Sequence, residues 1–361
     1  MAKITDKFFE LIQISLGNKA GFEQTPSEKE WSQLFDLSCM QSLTSVLLEG
    51  LETIEPTSRS ISQDVFYEWI GARLNTEPSY KLQRERAQML CRYFSNAGYR
   101  NCILKGLGTS LYYKHPEQRQ CGDIDIWVEG KRDVILEFAR SNCLSVPHID
   151  IKHADISFFE DVPVEVHFLP SWMYNPFTNK KLQRFFREKA DKEFNNYDSE
   201  QEFTHTTIDF DLVYSIVHIY RHIFSEGIGL RQLIDYYYIL KNSSFEQRKE
   251  AHIVLASLKM EKFCGGIMWI LKEKFGLKDL FLLCPCNCQH GKFLLSEIMK
   301  AGNFGQYDAR TTRIDVEKRF ARGFVQFKRN WRFVRYYPSE VLWSPFWKLW
   351  HWCWRKWKGY L

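Results

Sequence analysis

At 361 residues the chain is long enough for two or three compact units, each with its own core. Aromatic residues are plentiful while glycine and proline are sparse, which excludes a disordered, collagen-like or low-complexity chain. The formal charge of +5 hides an asymmetry: residues 310–361 hold 13 Lys and Arg against Asp315, Glu317 and Glu340, and seven of the twelve tryptophans, so the remainder is acidic overall.

Residues 1–16 set Lys3, Asp6, Lys7 and Glu10 among Phe8, Phe9, Leu11 and Ile12, the pattern of an amphipathic helix and not of a secretion signal. Trp31, Leu34, Phe35 and Leu37 continue at helical spacing, followed by Leu43, Val46, Leu47 and Leu51; a further long helix should end near Asn96-Ala97-Gly98. No stretch reaches the ~20 apolar residues of a spanning helix. With ten cysteines but no need for a disulfide framework, a cytoplasmic protein with free thiols is expected. The chain divides into a helical region (1–98), a mixed α/β core (99–170), a second helical region (171–309) and the basic, Trp-rich tail (310–361).

The chemistry lies in the core. Cys102-Ile103-Leu104 reads as a strand running into Lys105-Gly106-Leu107-Gly108-Thr109-Ser110, with a helix expected over 109–114. Two glycines at such a junction let the backbone approach a phosphate, and a helix N-terminus favours an anion; the same pattern also serves as a plain turn. Next comes Gly122-Asp123-Ile124-Asp125-Ile126-Trp127-Val128. On a strand, residues i and i+2 share a face, so Asp123 and Asp125 point into one site while Ile124 and Ile126 enter the core. Two carboxylates held side by side repel unless a cation lies between them; the alternative is a solvated edge strand. Residues 153–159 and 162–168 then read as two strands joined through Glu160-Asp161. In the second, Glu165 shares a face with His167. A glycine turn, an Asp-x-Asp strand and a third carboxylate together fit a site for two Mg²⁺ or Mn²⁺ ions, about 3.5–4 Å apart, that hold a triphosphate and activate the attacking oxygen.

Leu104-Lys105-Gly106, Tyr113-Lys114-His115-Pro116 with Arg119, Gly122-Asp123-Ile124-Asp125 and Val164-Glu165-Val166-His167, in that order, resemble the uncharacterised nucleotidyltransferase family of the polymerase-β-like superfamily. Trp31 onward resembles that family's N-terminal helices; His218, His222 and the run from Gly227 to Asp235 resemble its helical C-terminal half. One departure stands out: the superfamily's Gly-Ser or Gly-Gly after the first strand is here Gly106-Leu107. A serine hydroxyl for the triphosphate is missing there, and Lys105, Thr109 and Ser110 are the candidates to replace it.

The resemblance implies an α+β fold, a small mixed sheet flanked by helical regions, that moves a nucleoside monophosphate from an NTP to an acceptor and releases pyrophosphate. Asp123 and Asp125 would ligate both metals; Glu165 would ligate the acceptor-side metal or take the acceptor's proton. Lys105, Gly106, Gly108, Thr109 and Ser110 would hold the nucleotide, with Arg119, His167 and Arg231 as accessory groups. The alternative is a catalytically silent NTP-binding scaffold of the same fold. The acceptor is not legible, and no nucleic-acid motif is present.

Other motifs point less far. His218 and His222 stand at i, i+4, but Arg221 beside them would oppose a cation, so packing or a substrate contact is expected. Arg231 and Asp235 should form an i, i+4 ion pair, although Arg231, following Gly227 and Gly229, could instead reach a phosphate. Cys284-Pro285-Cys286-Asn287-Cys288 with His290 lacks the spacing of a standard zinc finger. In the tail, Ser344 suits an N-cap and Pro345 the first helical position. Trp343, Trp347, Trp350, Trp354 and Trp357 then form a stripe, interleaved with Lys348, Arg355, Lys356 and Lys358. Residues 343–358 should either pack on the protein's own helices or lie on an anionic membrane surface.

Overall fold

The computed structural model describes residues 2–56, 59–310 and 329–360. Five short strands carry the candidate site: β1 (Asn101–Ile103), β2 (Ile124–Val128), β3 (Ser145–Ile149), β4 (His153–Ser157) and β5 (Val164–His167). Their spatial order is β1-β2-β5-β4-β3, with β2 and β5 parallel and the other neighbours antiparallel. The result is an α+β architecture, a mixed sheet between helical layers.

Period-two alternation sorts the side chains of the sheet. Ile124, Ile126, Val128, Ala154, Ile156, Val164 and Val166 enter one core, closed by Ala87, Leu90 and Phe94 of the long helix α4 (Gln63–Asn96) and by Ile135 and Leu136 of α6 (Arg132–Arg140). On the other face Trp127 packs against Phe194 and Phe210 and joins a larger core that runs from Phe8 to Val341. That core combines α1 (Ala2–Ser15), α2 (Glu28–Gln41) and α3 (Thr44–Thr53) with α8 (Ile208–Ser225), α9 (Arg231–Asn242) and α11 (Glu261–Phe275). Asn18, just past α1, donates to Tyr237 Oη at 2.8 Å and to the Phe275 carbonyl at 2.6 Å. Chain segments more than 200 residues apart are therefore packed as neighbours.

Two expected helices differ. The helix over 109–114 is instead a single turn, α5 (Leu107–Ser110). Beyond it the bonds tighten to i→i−3, from Tyr112 N to Thr109 O (3.2 Å) and Tyr113 N to Ser110 O (2.9 Å), and the buried Tyr113 hydroxyl reaches Asp235 on α9.

The C-terminal helix spans Pro338–Trp357, so Pro338 and not Pro345 takes the first helical position, and Pro345 lies inside. Tertiary burial outweighs the proline's missing N–H: Glu340, Val341 and Ser344 are all buried, and Glu340 accepts from the Tyr174 and Asn175 amides at 2.9 and 3.2 Å. The tryptophan stripe is divided. Trp347 packs on Tyr174 and Trp354 lies under Arg132, whereas Trp343, Trp350 and Trp357 face outward. Residues 311–328, the middle of the basic tail, lie outside the described residues. All ten cysteines are free thiols, and no described helix is long and apolar enough to cross a membrane.

Candidate metal and nucleotide site

After β1 the chain turns sharply at Gly106 (φ 64°, ψ −100°), a conformation costly for any residue with a Cβ. The turn leaves Lys105 over the sheet, where its Nζ lies 2.7 Å from Asp125 Oδ2 and 3.4 Å from Asp123 Oδ2. A cation thus already stands between the two aspartates. Strand register supplies the rest. Asp125 lies opposite Glu165 on the parallel neighbour, and Glu165 lies opposite Asp155 on β4. The next row on the same face is Trp127, His167 and His153. Asp125 is closed off at 1 % side-chain exposure, while Asp123 (34 %) and Glu165 (29 %) reach solvent.

His167 Nε2 lies 2.8 Å from Asp125 Oδ1 and 3.2 Å from Glu165 Oε2. Burial alone would pull the His167 imidazole down, but its bonds to Asp125 and Glu165 outweigh it and push it up to about 8. Burial would likewise raise both partner carboxyls. Lys105 and His167 instead hold Asp125 below the usual range, and His167, His153 and Lys105 pull Glu165 far below it. Asp123 moves the other way, raised by burial and by Asp125 beside it. His153 is lowered to about 3, by burial first and then by Lys152. These neighbours favour the charged form of Glu165.

A narrow cleft of about 40 Å³ adjoins the aspartates, with room for a few waters. Lys105, Gly106, Thr109 and Asp123 line one side; His218 and Arg231 line the other. Gly108 and Ser110 lie off this lining. The Ser110 hydroxyl donates to the Leu107 carbonyl at 2.6 Å and that of Thr109 to the Gly106 carbonyl at 3.1 Å. Arg231 donates from Nη1 to the Gln120 carbonyl, and its Nε is buried without a hydrogen-bond partner. Burial, then Arg119 nearby, lowers its pKa.

The expected Arg231–Asp235 ion pair is replaced. Arg119 grips Asp235 with two parallel bonds of 2.7 and 2.8 Å, and Tyr113 adds a third at 2.6 Å. Arg119 comes from the loop before β2 and fits Asp235 as a planar fork, so a long-range pair displaced the local one. His218 and His222 bring their rings to 4.3 Å on α8, tilted by 55°. In the cysteine-rich segment Cys284 is buried, Cys286 and Cys288 are exposed, and His290 Nδ1 lies 3.0 Å from Tyr337 Oη.

Among the described residues two groups of three or more side chains could share a metal ion: Asp123, Asp125 and Glu165, and His153, Glu165 and His167. The first fits a divalent cation by two signs, its all-oxygen donor set and the Lys105 ammonium already lodged between its aspartates. The second includes His153, which sequence reasoning did not single out. Its alternation with Asp155 is visible in the sequence, but its place opposite His167 depends on strand register. A family described as uncharacterised nucleotidyltransferase matches the chain over residues 27–276. None of the curated proteins matches it.

Proposed function

Since the chain belongs to the uncharacterised nucleotidyltransferase family, we propose that it transfers a nucleoside monophosphate from an NTP to an acceptor hydroxyl or similar nucleophile, using divalent cations held by Asp123, Asp125 and Glu165. The observation that carries this reading is the cross-strand placement of Asp125 against Glu165, with Asp123 beside them and one cationic group already among them. Mg²⁺ or Mn²⁺ at the carboxylates would neutralise the charge that develops on the phosphates. In the transfer, the acceptor oxygen bonds to the α-phosphorus, the bond to the β-phosphate oxygen breaks, and pyrophosphate leaves. The acceptor's proton passes to Glu165 or to solvent.

The surrounding residues position and neutralise. Arg231 lines the cleft and keeps a buried Nε without a hydrogen-bond partner; its guanidinium suits a phosphate oxygen. Lys105, a point charge on a flexible stem beside the aspartates, would turn to the triphosphate once metal holds the carboxylates, in place of the serine absent after Gly106. Asp123→Asn and Asp125→Asn should each lower NTP turnover by roughly 10²-fold or more, and the part-exposed Asp123 should be replaced without changing the thermal melt. Wild-type-like pyrophosphate release by either variant contradicts the reading.

A peripheral location at an anionic membrane surface, through the C-terminal helix, is part of this proposal. Its docked side carries Glu340, Ser344 and Trp347, while Leu342, Phe346, Leu349, Trp350 and Trp357 face away, with Phe346 68 % and Trp357 80 % exposed. From residue 329 onward the only acid is the buried Glu340, against seven Lys and Arg. An apolar, Trp-rich face on a basic segment suits the headgroup region of an anionic bilayer. The full chain should co-sediment with anionic vesicles, less so as salt rises. A Phe346→Ser, Trp357→Ser double variant should stay in the supernatant with an unchanged melting temperature. Failure of the wild type to bind anionic vesicles at low salt rejects this location.

A further inference from the structure

The active face of the sheet holds a second set of donors beside the aspartate pair. His153 on β4 and Glu165 and His167 on β5 each place one potential ligand atom within 4.8 Å of the others. Both imidazoles converge on a single oxygen: His153 Nδ1 is 3.3 Å and His167 Nε2 3.2 Å from Glu165 Oε2. For an ion with ligand bonds of ~2.1 Å, donor separations of this size need little adjustment.

The outer nitrogens are supported from behind. His167 Nδ1 faces the Leu169 carbonyl at 3.3 Å, and His153 Nε2 faces Asp155 Oδ1 at 3.5 Å. One imidazole nitrogen against a carbonyl or carboxylate, with the other aimed at a shared centre, is the arrangement that orients metal-binding histidines. His153 Nδ1 is also buried and makes no hydrogen bond. A buried polar atom aimed at a shared carboxylate oxygen, without a hydrogen-bonding partner, calls for a ligand of its own.

We propose that His153, Glu165 and His167 form a cation position of their own, adjoining the Asp123–Asp125 position through Glu165, which takes a transition-metal ion such as Mn²⁺, Fe²⁺ or Zn²⁺ in preference to Mg²⁺. Imidazole nitrogen suits transition metals, whereas Mg²⁺ favours oxygen and gives up water reluctantly. Strand order sets this position on the β5 and β4 side of the aspartates, away from β1. The inference rests on the reading of this sheet face as a metal site, yet it can fail alone.

The test uses untagged full-length protein stripped of metal and given one equivalent of Mn²⁺. Pulsed electron paramagnetic resonance then reads ¹⁴N coupling from directly ligated imidazole. The wild type should show that coupling, and it should persist in about tenfold molar excess of Mg²⁺. His153→Ala should weaken Mn²⁺ binding roughly tenfold or more, and Asp123→Asn should retain the nitrogen coupling. Bound Mn²⁺ without ¹⁴N coupling, or unchanged affinity in a natively melting His153→Ala, overturns the inference and leaves the aspartate site standing. No Mn²⁺ binding by the wild type overturns both.

Discussion

Asp125 and Asp235 are both buried carboxylates held by cations, but the cations differ in kind. Asp235 is locked by the planar fork of Arg119 and by Tyr113. Asp125 is held by the Lys105 ammonium and the His167 imidazole, partners that can move or exchange. The first is a brace between the loop before β2 and α9; the second is the centre of the proposed metal site. Breaking a buried pair costs ~3–5 kcal/mol, so Asp235→Asn should lower unfolding stability by about that much in urea titrations. Asp123→Asn, at a carboxyl 34 % exposed, should cost far less. An equal loss in the two variants would contradict this division of roles. The aspartate pair was legible because its signal is local, two acids two residues apart among β-branched neighbours. The Arg119–Asp235 pair spans 116 residues, and no local spacing announces it.

At the scale of elements, close approach explains one glycine. A Cβ on Gly50 of α3 would lie 2.1 Å from Ser15 Oγ and 2.7 Å from Ser15 N at the end of α1. Because a backbone atom is among those obstructed, the helices must separate. Gly50→Ala should cost ~1–3 kcal/mol in thermal or urea unfolding, while Gly21→Ala, in open space, should stay within about 0.5 kcal/mol of wild type. A neutral Gly50→Ala would show that α1 and α3 pack more loosely than described. Strands β2, β4 and β5 were legible in the sequence because their two faces differ chemically, polar toward the site and apolar toward α4 and α6. The helix after Gly106 and the start of the C-terminal helix were misplaced for a common reason. Caps and prolines mark where a helix is free to begin, but Tyr113 bound to Asp235 and Glu340 bound to the Tyr174 and Asn175 amides decide where it does.

Across the whole molecule the sheet sits between two cores, and the larger one draws on nearly the full length of the chain. That arrangement also buries charge-bearing groups outside the carboxylate cluster. Asp211 on α8 accepts from Thr206 and Tyr112 at 2.6 and 3.0 Å, yet burial raises its carboxyl to about 8. Its unfolded value is about 3.9. Between these values the folded chain holds a proton that the unfolded chain has lost, so this residue's contribution to stability falls as pH rises from about 4 to 8. Asp211→Asn removes the effect: relative to wild type, the variant should gain melting temperature progressively between pH 5 and pH 8. A difference that does not change with pH would place Asp211 in its ordinary charged state. The central claim, nucleotidyl transfer, is most directly tested with α- and γ-³²P-labelled NTPs, Mg²⁺ or Mn²⁺, and fractionated cell extract as the source of acceptor. Label from the α position should enter an acceptor with wild-type protein and be lost with Asp123→Asn. Transfer from the γ position, or α-transfer that survives Asp123→Asn, would contradict it.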